Sequence, residues 1–335
     1  MPLNRRQFFS LPRRSRRRDG YWLHVYRTAM ACRFEITLPL AESSGVQSAR
    51  DALDRIDALE ERLSVYRDSS EITFINNHAG QQPVRMAQDL LQLLLLCRRI
   101  HGETDGAFDI TAGPVIRSWG FMTRQGRVPA KEEIDAARSL VGMEGVSLDT
   151  DNSTIQFLRA GMELNLGSIG KGYALDQVAP ELRPRARGVL LSAGSSSVLA
   201  VGSPHGRDGW RVGVRHPYLK QRRIAALWLR DCAMSTSAGG EQFFEHEGKR
   251  YGHILDPRTG EPASGVAAVT VIARSAALAE ALSTAFYVGG PELAGQYCAL
   301  HPQVLALMLM EQDWNTPLLF GTSNKCDVEI LDGGK

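Results

Sequence analysis

The sequence predicts an α+β fold of mixed, largely antiparallel sheets with flanking helices. Three observations carry that expectation. Segments 46–63, 86–101 and 131–140 place apolar residues mostly three and four apart or in dense apolar runs, the habit of helices that bury one face. Segments 188–192, 197–201, 210–214 and 224–229 are short β-rich runs broken by Gly194 and by Pro204-His205-Gly206, which turn successive strands back on one another. At 335 residues, 43% hydrophobic and 23% charged, the chain can also bury a sizeable core, as one large body or two closely packed ones.

In chain order, 21–40 reads as extended, one or two strands broken near Met30, with Val25, Phe34, Ile36 and Leu38 among the apolar positions. Ala49, Leu53, Ile56, Leu59 and Leu63 define the first helix, and Ser69 or Ser70 can cap a short one reaching Asn77. Gly102 ends the second long helix. Between 104 and 121, two glycines and a proline within nine residues argue against a regular helix. Gly142 stops the helix over 131–140, and strands over 145–148 and 154–158 lead to a Gly-rich turn, 163–172, that opens a helix. After the antiparallel run come 232–237, 242–244 and the strand end 251–255, then a β-branched buried strand over 266–272. Ser275 can cap the helix that follows, and 303–310 and 316–320 close the fold.

The net charge of +2 conceals an asymmetry. Seven arginines fall within the first 18 residues, which leaves 32 basic against 37 acidic residues elsewhere, and a folded body at −5 lacks the clustered cations of a nucleic-acid-binding face. Five scattered cysteines without Cys-x-x-Cys spacing fit reduced thiols and no structural zinc. The apolar run 90–97 is too short to span a bilayer, so no transmembrane segment is expected. Asn4-Arg5-Arg6-Gln7-Phe8-Phe9 opens like a twin-arginine export signal, but more arginines follow where an apolar segment is required. Residues 1–19 are therefore read as a disordered basic arm or decayed leader and 20–335 as a single domain, with a cytoplasmic location favoured over a periplasmic one.

Four stretches concentrate chemistry. Residues 250–262 (RYGHILDPRTGEP) set an imidazole, a carboxylate, a guanidinium and a hydroxyl on turn residues at the end of a strand, and are either simply a well-made hairpin end or a rim that carries reactive groups. Residues 104–121 are either an aromatic-pinned loop or a bed for a planar ring. The turn at 163–172 presents helix-start N–H groups and Lys171 to an anion, without matching a Walker loop. Glu280 and Thr284, four apart on one helix face, either supply two hard oxygens for Mg²⁺ or are an exposed Glu beside a Thr bonded to its own backbone.

In this order the stretches resemble the ApbE family, FAD:protein FMN transferases, from about residue 30 to 289. The carriers are Ser64-Val65-Tyr66-Arg67 with Ser70-Glu71-Ile72, Gly106-Ala107-Phe108-Asp109-Ile110-Thr111 through Trp119-Gly120-Phe121, Gly170-Lys171-Gly172-Tyr173-Ala174, Thr236-Ser237, 253–260 and 279–285. The resemblance implies a two-lobed architecture, FAD as substrate, Mg²⁺ as metal, and transfer of FMN through a phosphoester bond to a Thr or Ser of an acceptor flavoprotein, with release of AMP. It implies that Met30, Tyr66, Ala107, Phe108, Asp109, Asn165, Lys171 and His253 contact FAD. It further implies that the Ser168 carbonyl, Glu280 and Thr284 hold the metal. His253, whose side-chain type titrates nearest neutrality, is the expected acid or base at the diphosphate, and Tyr66, Phe108 and Trp119 the expected apolar bed. The chain departs from the family where Glu280 and Asn165 replace Asp, where Gly194-Ser195-Ser196 replaces Gly-Gly-Asp or Gly-Gly-Asn, and where Met30-Ala31-Cys32 replaces Met-Gly-Thr. Two alternatives are a non-catalytic FAD-binding paralogue and an FAD pyrophosphatase that gives FMN and AMP.

Overall fold

A hairpin opens the computed structural model, which describes residues 21–331 apart from 124, 220 and 241; the expectations for 1–19 lie outside the described residues. Strands β1 (Trp22–Ala29) and β2 (Cys32–Pro39) are joined by Met30 and Ala31, both in the left-handed region at φ 48° and 58°. Two-residue hairpins favour that conformation because it matches strand twist, yet it costs a side chain steric strain. A strained non-glycine pair at a loop tip is a reason to look there for function.

Helix α1 (Val46–Leu63) follows the apolar spacing, and Ser70 caps α2 (Glu71–His78) by accepting from the Thr73 N–H at 3.0 Å. After β3 (Val84–Arg85) comes α3 (Gln88–Glu103), two residues later than the sequence suggests. Asp89 at its start accepts from the Arg62 guanidinium at 2.7 and 3.0 Å and from the Tyr173 hydroxyl at 3.2 Å, and Glu71 takes another Arg62 N–H at 2.8 Å. Arg62, at the end of α1, thus ties α1 to α2 and α3 and holds the Asp89 carboxyl below its ordinary range.

Against the expectation for 104–121, a short helix α4 (Gly113–Ser118) forms there. Pro114 lies in its first turn, where a missing N–H leaves no intrahelical bond unmade. Then come α5 (Lys131–Arg138), β4 (Val146–Asp149), β5 (Thr154–Phe157), α6 (Gly170–Leu182), β6 (Gly188–Ala193), β7 (Ser197–Gly202), β8 (Trp210–Arg215), β9 (Arg223–Leu229) and β10 (Ala233–Ala238). The hairpin β11 (Phe243–His246) and β12 (Lys249–Gly252) ends earlier than 255, and β13 (Val266–Ala273), α7 (Ala276–Leu300), β14 (Leu305–Met310), β15 (Leu318–Gly321) and β16 (Cys326–Ile330) complete the chain. Strand β16 has no counterpart in the sequence reading.

The main sheet runs β1-β2-β6-β7-β10-β13-β14-β15, and every ladder among the described strands is antiparallel. Alternation decides its two faces. Val189, Leu191, Leu199, Val201, Val269 and Val271 join the core under α1, α6 and α7, whereas Leu190, Val198, Ala200 and Ile272 face the small sheet β16-β9-β8. Burial on both faces explains why β13 is apolar or small at nearly every position.

Helices α6 and α7 meet at their N-terminal ends. A Cβ on Gly172 would drive into the Ala276 carbonyl, so only glycine permits the approach. Each helix supplies a carboxylate to the other's start. Asp176 accepts from Ala276 and Ala277 N–H groups at 2.8 Å each, and Glu280 accepts from the Gly172 N–H at 2.6 Å. These bonds satisfy helix-start donors and set negative charge against the positive dipole ends. Burial nevertheless pushes the Asp176 carboxyl up to about 6 despite its two backbone donors.

Candidate active site

At this crossing the Lys171 ammonium sits on Glu280 Oε1, while Glu280 Oε2 holds the Gly172 N–H. Glu280 is 4% exposed, so the exposed-Glu alternative is excluded. Thr284 does bond its own helix, donating to the Glu280 carbonyl at 3.3 Å, and its hydroxyl also lies 3.4 Å from Ser237 Oγ on β10. Cys32 belongs to the same place. Burial pushes its thiol up to about 11, and Lys171 and Glu280 act on it in opposite directions. A Cβ on Gly194 would lie 3.3 Å from Cys32 Cβ, so the β1–β2 tip with Met30 and the β6–β7 turn converge on the α6–α7 crossing.

The strand that carries Ser237 leads to His253. Past β10, Gly239 packs so closely on the Tyr287 hydroxyl, one turn beyond Thr284, that a Cβ could not be added. Three residues further, the Gln242 carbonyl accepts from His253 N–H at 3.1 Å and lies 3.0 Å from His253 Nδ1. Gln242 follows Ser237, the neighbour of Thr284, by five residues in the chain. In the turn after His253, Asp256 grips Arg258 through Nε at 2.9 Å and Nη2 at 2.8 Å, and the Arg258 stem packs over Gly106.

The loop holding Ala107, Phe108 and Asp109 adjoins that turn. Asp109 Oδ1 accepts from the Thr111 N–H at 2.7 Å and hydroxyl at 2.6 Å, and the Thr111 hydroxyl accepts from the Gly142 N–H at 2.7 Å. The other oxygen lies 3.1 Å from His101 Nδ1, ion-pair range but off the line of a well-directed hydrogen bond. Asn165 donates its backbone N–H to the Ile110 carbonyl at 2.7 Å and so bridges this loop to the turn bearing Ser168 and Lys171. Asn165 also lines a small polar pocket of about 80 Å³ with Asn76, Arg117, Met122 and Glu163. A roomier cleft of about 620 Å³ between β1 and α1 contains none of the candidate residues.

The expected aromatic bed is corrected by burial. Phe108 is 1% exposed and Ala107 equally buried, so the Phe108 ring presents no face to a ligand, and that stretch can meet one only through its backbone. Trp119 is buried as well, donating Nε1–H to the Gly260 carbonyl at 2.8 Å and packing on Tyr251 at 5.6 Å. These rings pin the 253–260 turn and the β11–β12 hairpin. Tyr66 alone of the three is open, at 70%.

No role for His101, Asp176, Tyr287 or Gln242 follows from the sequence. Only His101 carried a local signal, a titratable group in the last turn of a helix just before a glycine-rich loop. The Asp109 carboxylate raises the His101 pKa against the lowering effect of burial, with Glu144 adding to the rise. The stabilisation from that pair is therefore complete below the free-histidine pKa near 6.5 and is lost as pH rises through the higher folded value. Thermal melts of the wild type should show this loss above pH 6.5, and His101→Gln should flatten the slope; an unchanged slope in that variant would remove the pair from the loop's stability.

For a metal, the donor set has the right chemistry: a carboxylate, a hydroxyl one turn away, and a carbonyl two residues before α6. A side-chain cation already resides on the carboxylate. No group of three or more His, Cys, Asp or Glu side chains gathers among the described residues, but Mg²⁺ is commonly held by one or two carboxylates plus water and substrate phosphates. The residues present fit such an ion. No helix among the described residues is long and apolar enough to cross a membrane.

Known proteins resemble this chain in sequence and fold. The sequence profile of the ApbE family matches residues 30–309. A protein of Vibrio cholerae serotype O1 named FAD:protein FMN transferase is 31% identical over 281 residues, 82% of each chain, and one of Treponema pallidum with the same name is 32% identical over 263 residues, 74% of this chain and 72% of its own. The solved ApbE protein of Thermotoga maritima superposes with a TM-score of 0.81 at 28% identity, covering 90% of this chain and 97% of that one. The flavin transferase ApbE of Vibrio cholerae superposes with a TM-score of 0.78 at 26% identity, covering 91% and 98%. With its strained hairpin tip, crossed helix starts and histidine turn embedded in a profile match over most of its length, this chain belongs to the ApbE family.

Proposed function

We propose that the chain transfers FMN from FAD to a Thr or Ser hydroxyl of an acceptor flavoprotein, with Mg²⁺, and releases AMP. The name shared by its relatives supports flavin transfer to a protein. The observation that carries the reading is the Lys171–Glu280–Thr284 cluster at two helix N-termini, joined through Ser237, Gly239 and Gln242 to His253. In the reaction the acceptor oxygen attacks the FMN-side phosphorus, the bond from that phosphorus to the bridging oxygen breaks, and AMP leaves with that oxygen. The hydroxyl proton passes to His253. Its Nδ1–H donated to the Gln242 carbonyl puts the lone pair of the neutral ring on Nε2, the atom that takes the proton. The Lys171 ammonium stabilises charge on the phosphoryl oxygens. Mg²⁺ on Glu280, Thr284 and the Ser168 carbonyl would supply further charge neutralisation to those oxygens.

The test is incubation with FAD, Mg²⁺ and an acceptor domain, read by mass spectrometry. An FMN-sized adduct on the acceptor is the expected product. Free FMN and AMP without adduct would reassign the chain as a pyrophosphatase, and intact FAD would leave it as a binding protein.

A further inference from the structure

We infer that His101 is a positioning residue for FAD, holding the loop over 104–111 in the shape that the dinucleotide meets. The inference rests on the proposed contact of FAD with Ala107, Phe108 and Asp109. The Asp109 side chain is 2% exposed, and Ala107 and Phe108 are buried, so this stretch offers a ligand its main chain. Its value to a ligand then depends on backbone shape. That shape begins with a strained turn, since Asp105 and Gly106 both lie in the left-handed region, at φ 49° and 71°.

His101 touches both ends of the loop. At the near end its carbonyl accepts from the Thr104 N–H at 3.3 Å and the Gly106 N–H at 3.0 Å, and its ring lies under Gly106, where a Cβ would sit 3.6 Å from Cε1. At the far end Nδ1 lies 3.1 Å from Asp109 Oδ2, while Oδ1 accepts from the Thr111 N–H and hydroxyl. Main-chain bonds hold the near end whatever the charge on the ring. The far end depends on that charge, because a contact at ion-pair distance without a well-directed hydrogen bond acts mainly through Coulomb attraction. The other charged or titratable groups around the ring come from four elements. The buried Cys97 thiol stands one turn back on α3, where burial and Asp109 keep it protonated, and Asp105 lies in the loop itself. Glu144, just before β4, favours the imidazolium, and Arg258 lays its stem over Gly106 while Asp256 grips its guanidinium. A protonated His101 therefore draws Asp109 inward and fixes the backbone between them; a neutral ring gives up that attraction, and a smaller fraction of molecules holds the loop ready for FAD. Apparent affinity scales with that fraction.

The experiment is FAD titration of the full chain by flavin fluorescence at about pH 6 and about pH 9, well below the melting transition. Asp109 raises the His101 pKa, so the pair is complete below about 6.5 and is lost as pH rises through the higher folded value. Wild-type affinity for FAD should accordingly weaken about threefold to tenfold from the lower pH to the higher. His101→Gln, and Asp109→Asn, which keeps an oxygen for Thr111, should each bind at both pH values about as wild type does at the higher one. The double variant should be no weaker than either single, as expected of two residues acting as one unit. Each single variant covers the case in which the other folds poorly, and melting temperatures show which are folded. Damage to the loop alone would weaken binding at both pH values and leave the slope in place. Equal wild-type affinity at both pH values, a slope that persists in the variants, His101→Gln binding as tightly as wild type at the lower pH, or variants far weaker than wild type at the higher pH would each overturn the inference and leave FAD binding by the wild type intact. No FAD binding to wild type at either pH would remove the proposed function as well.

Discussion

Glu280→Ala should lower FMN transfer by about three orders of magnitude, equivalent to about 4 kcal/mol of transition-state stabilisation. Three losses coincide at this residue. The carboxylate proposed to hold the metal disappears, the Gly172 N–H loses its acceptor, and the Lys171 ammonium loses its ion pair with Glu280. The last two act on the fold as well as on the chemistry. Removing one member of a buried pair can cost 3–5 kcal/mol, but Lys171 is partly solvated, so about 1–3 kcal/mol of stability is the expected loss. Glu280→Gln separates the two effects. Its amide oxygen can still accept from Gly172, so its melting temperature should stay closer to that of wild type, whereas its transfer rate should fall nearly as far as that of the alanine variant. Acceptor mass spectrometry at limiting Mg²⁺ and thermal melts are the two readouts. A glutamine variant that transfers at the wild-type rate under those conditions would take Glu280 out of metal binding.

Why Glu280 looked ambiguous in the sequence is a matter of helix environment. Residues 276–287 are apolar or small nearly all round because α7 is buried, so no amphipathic stripe says which way a lone Glu points. Its ammonium partner lies over a hundred residues away, and no local pattern encodes a pairing made by two helix starts meeting at a glycine. Where local rules suffice, the sequence was legible: the spacing over Val46–Leu63 gives α1 its bounds, and Ser70 and Ser275 cap the helices after them. Pro114 misled because the same residue that breaks a helix interior is tolerated in a first turn. Strand β16 was missed because its five residues pair with β9 in a sheet apart from the main one, and only its Cys, Val and Ile offer an alternating apolar signal. Phe108 and Trp119 offered flat surface, but the sequence does not state whether a ligand or the protein itself covers a ring. Here the protein does.

His253→Ala should slow transfer by 10²–10⁴-fold, the usual contribution of a positioned acid or base, while FAD affinity changes by no more than about threefold. The asymmetry follows from how the ring is held. Nδ1 is oriented by the Gln242 carbonyl and the residue's own N–H by the same oxygen, so main-chain bonds fix the imidazole where β10 and the β11–β12 hairpin meet. A group anchored in this way through its backbone and one ring nitrogen contributes its other nitrogen to the proton and little surface to the dinucleotide. The neighbouring turn should survive the substitution, because Asp256–Arg258 and the Trp119–Gly260 bond hold it independently of the ring. Substrate binding and chemistry can thus be measured on a folded variant, FAD affinity by flavin fluorescence and the transfer rate by single turnover. A proton-transfer role also requires the wild-type rate to carry a pH limb that vanishes in the alanine variant. A limb that persists, or an affinity loss matching the rate loss, would make His253 a binding residue and move the proton's destination to another group.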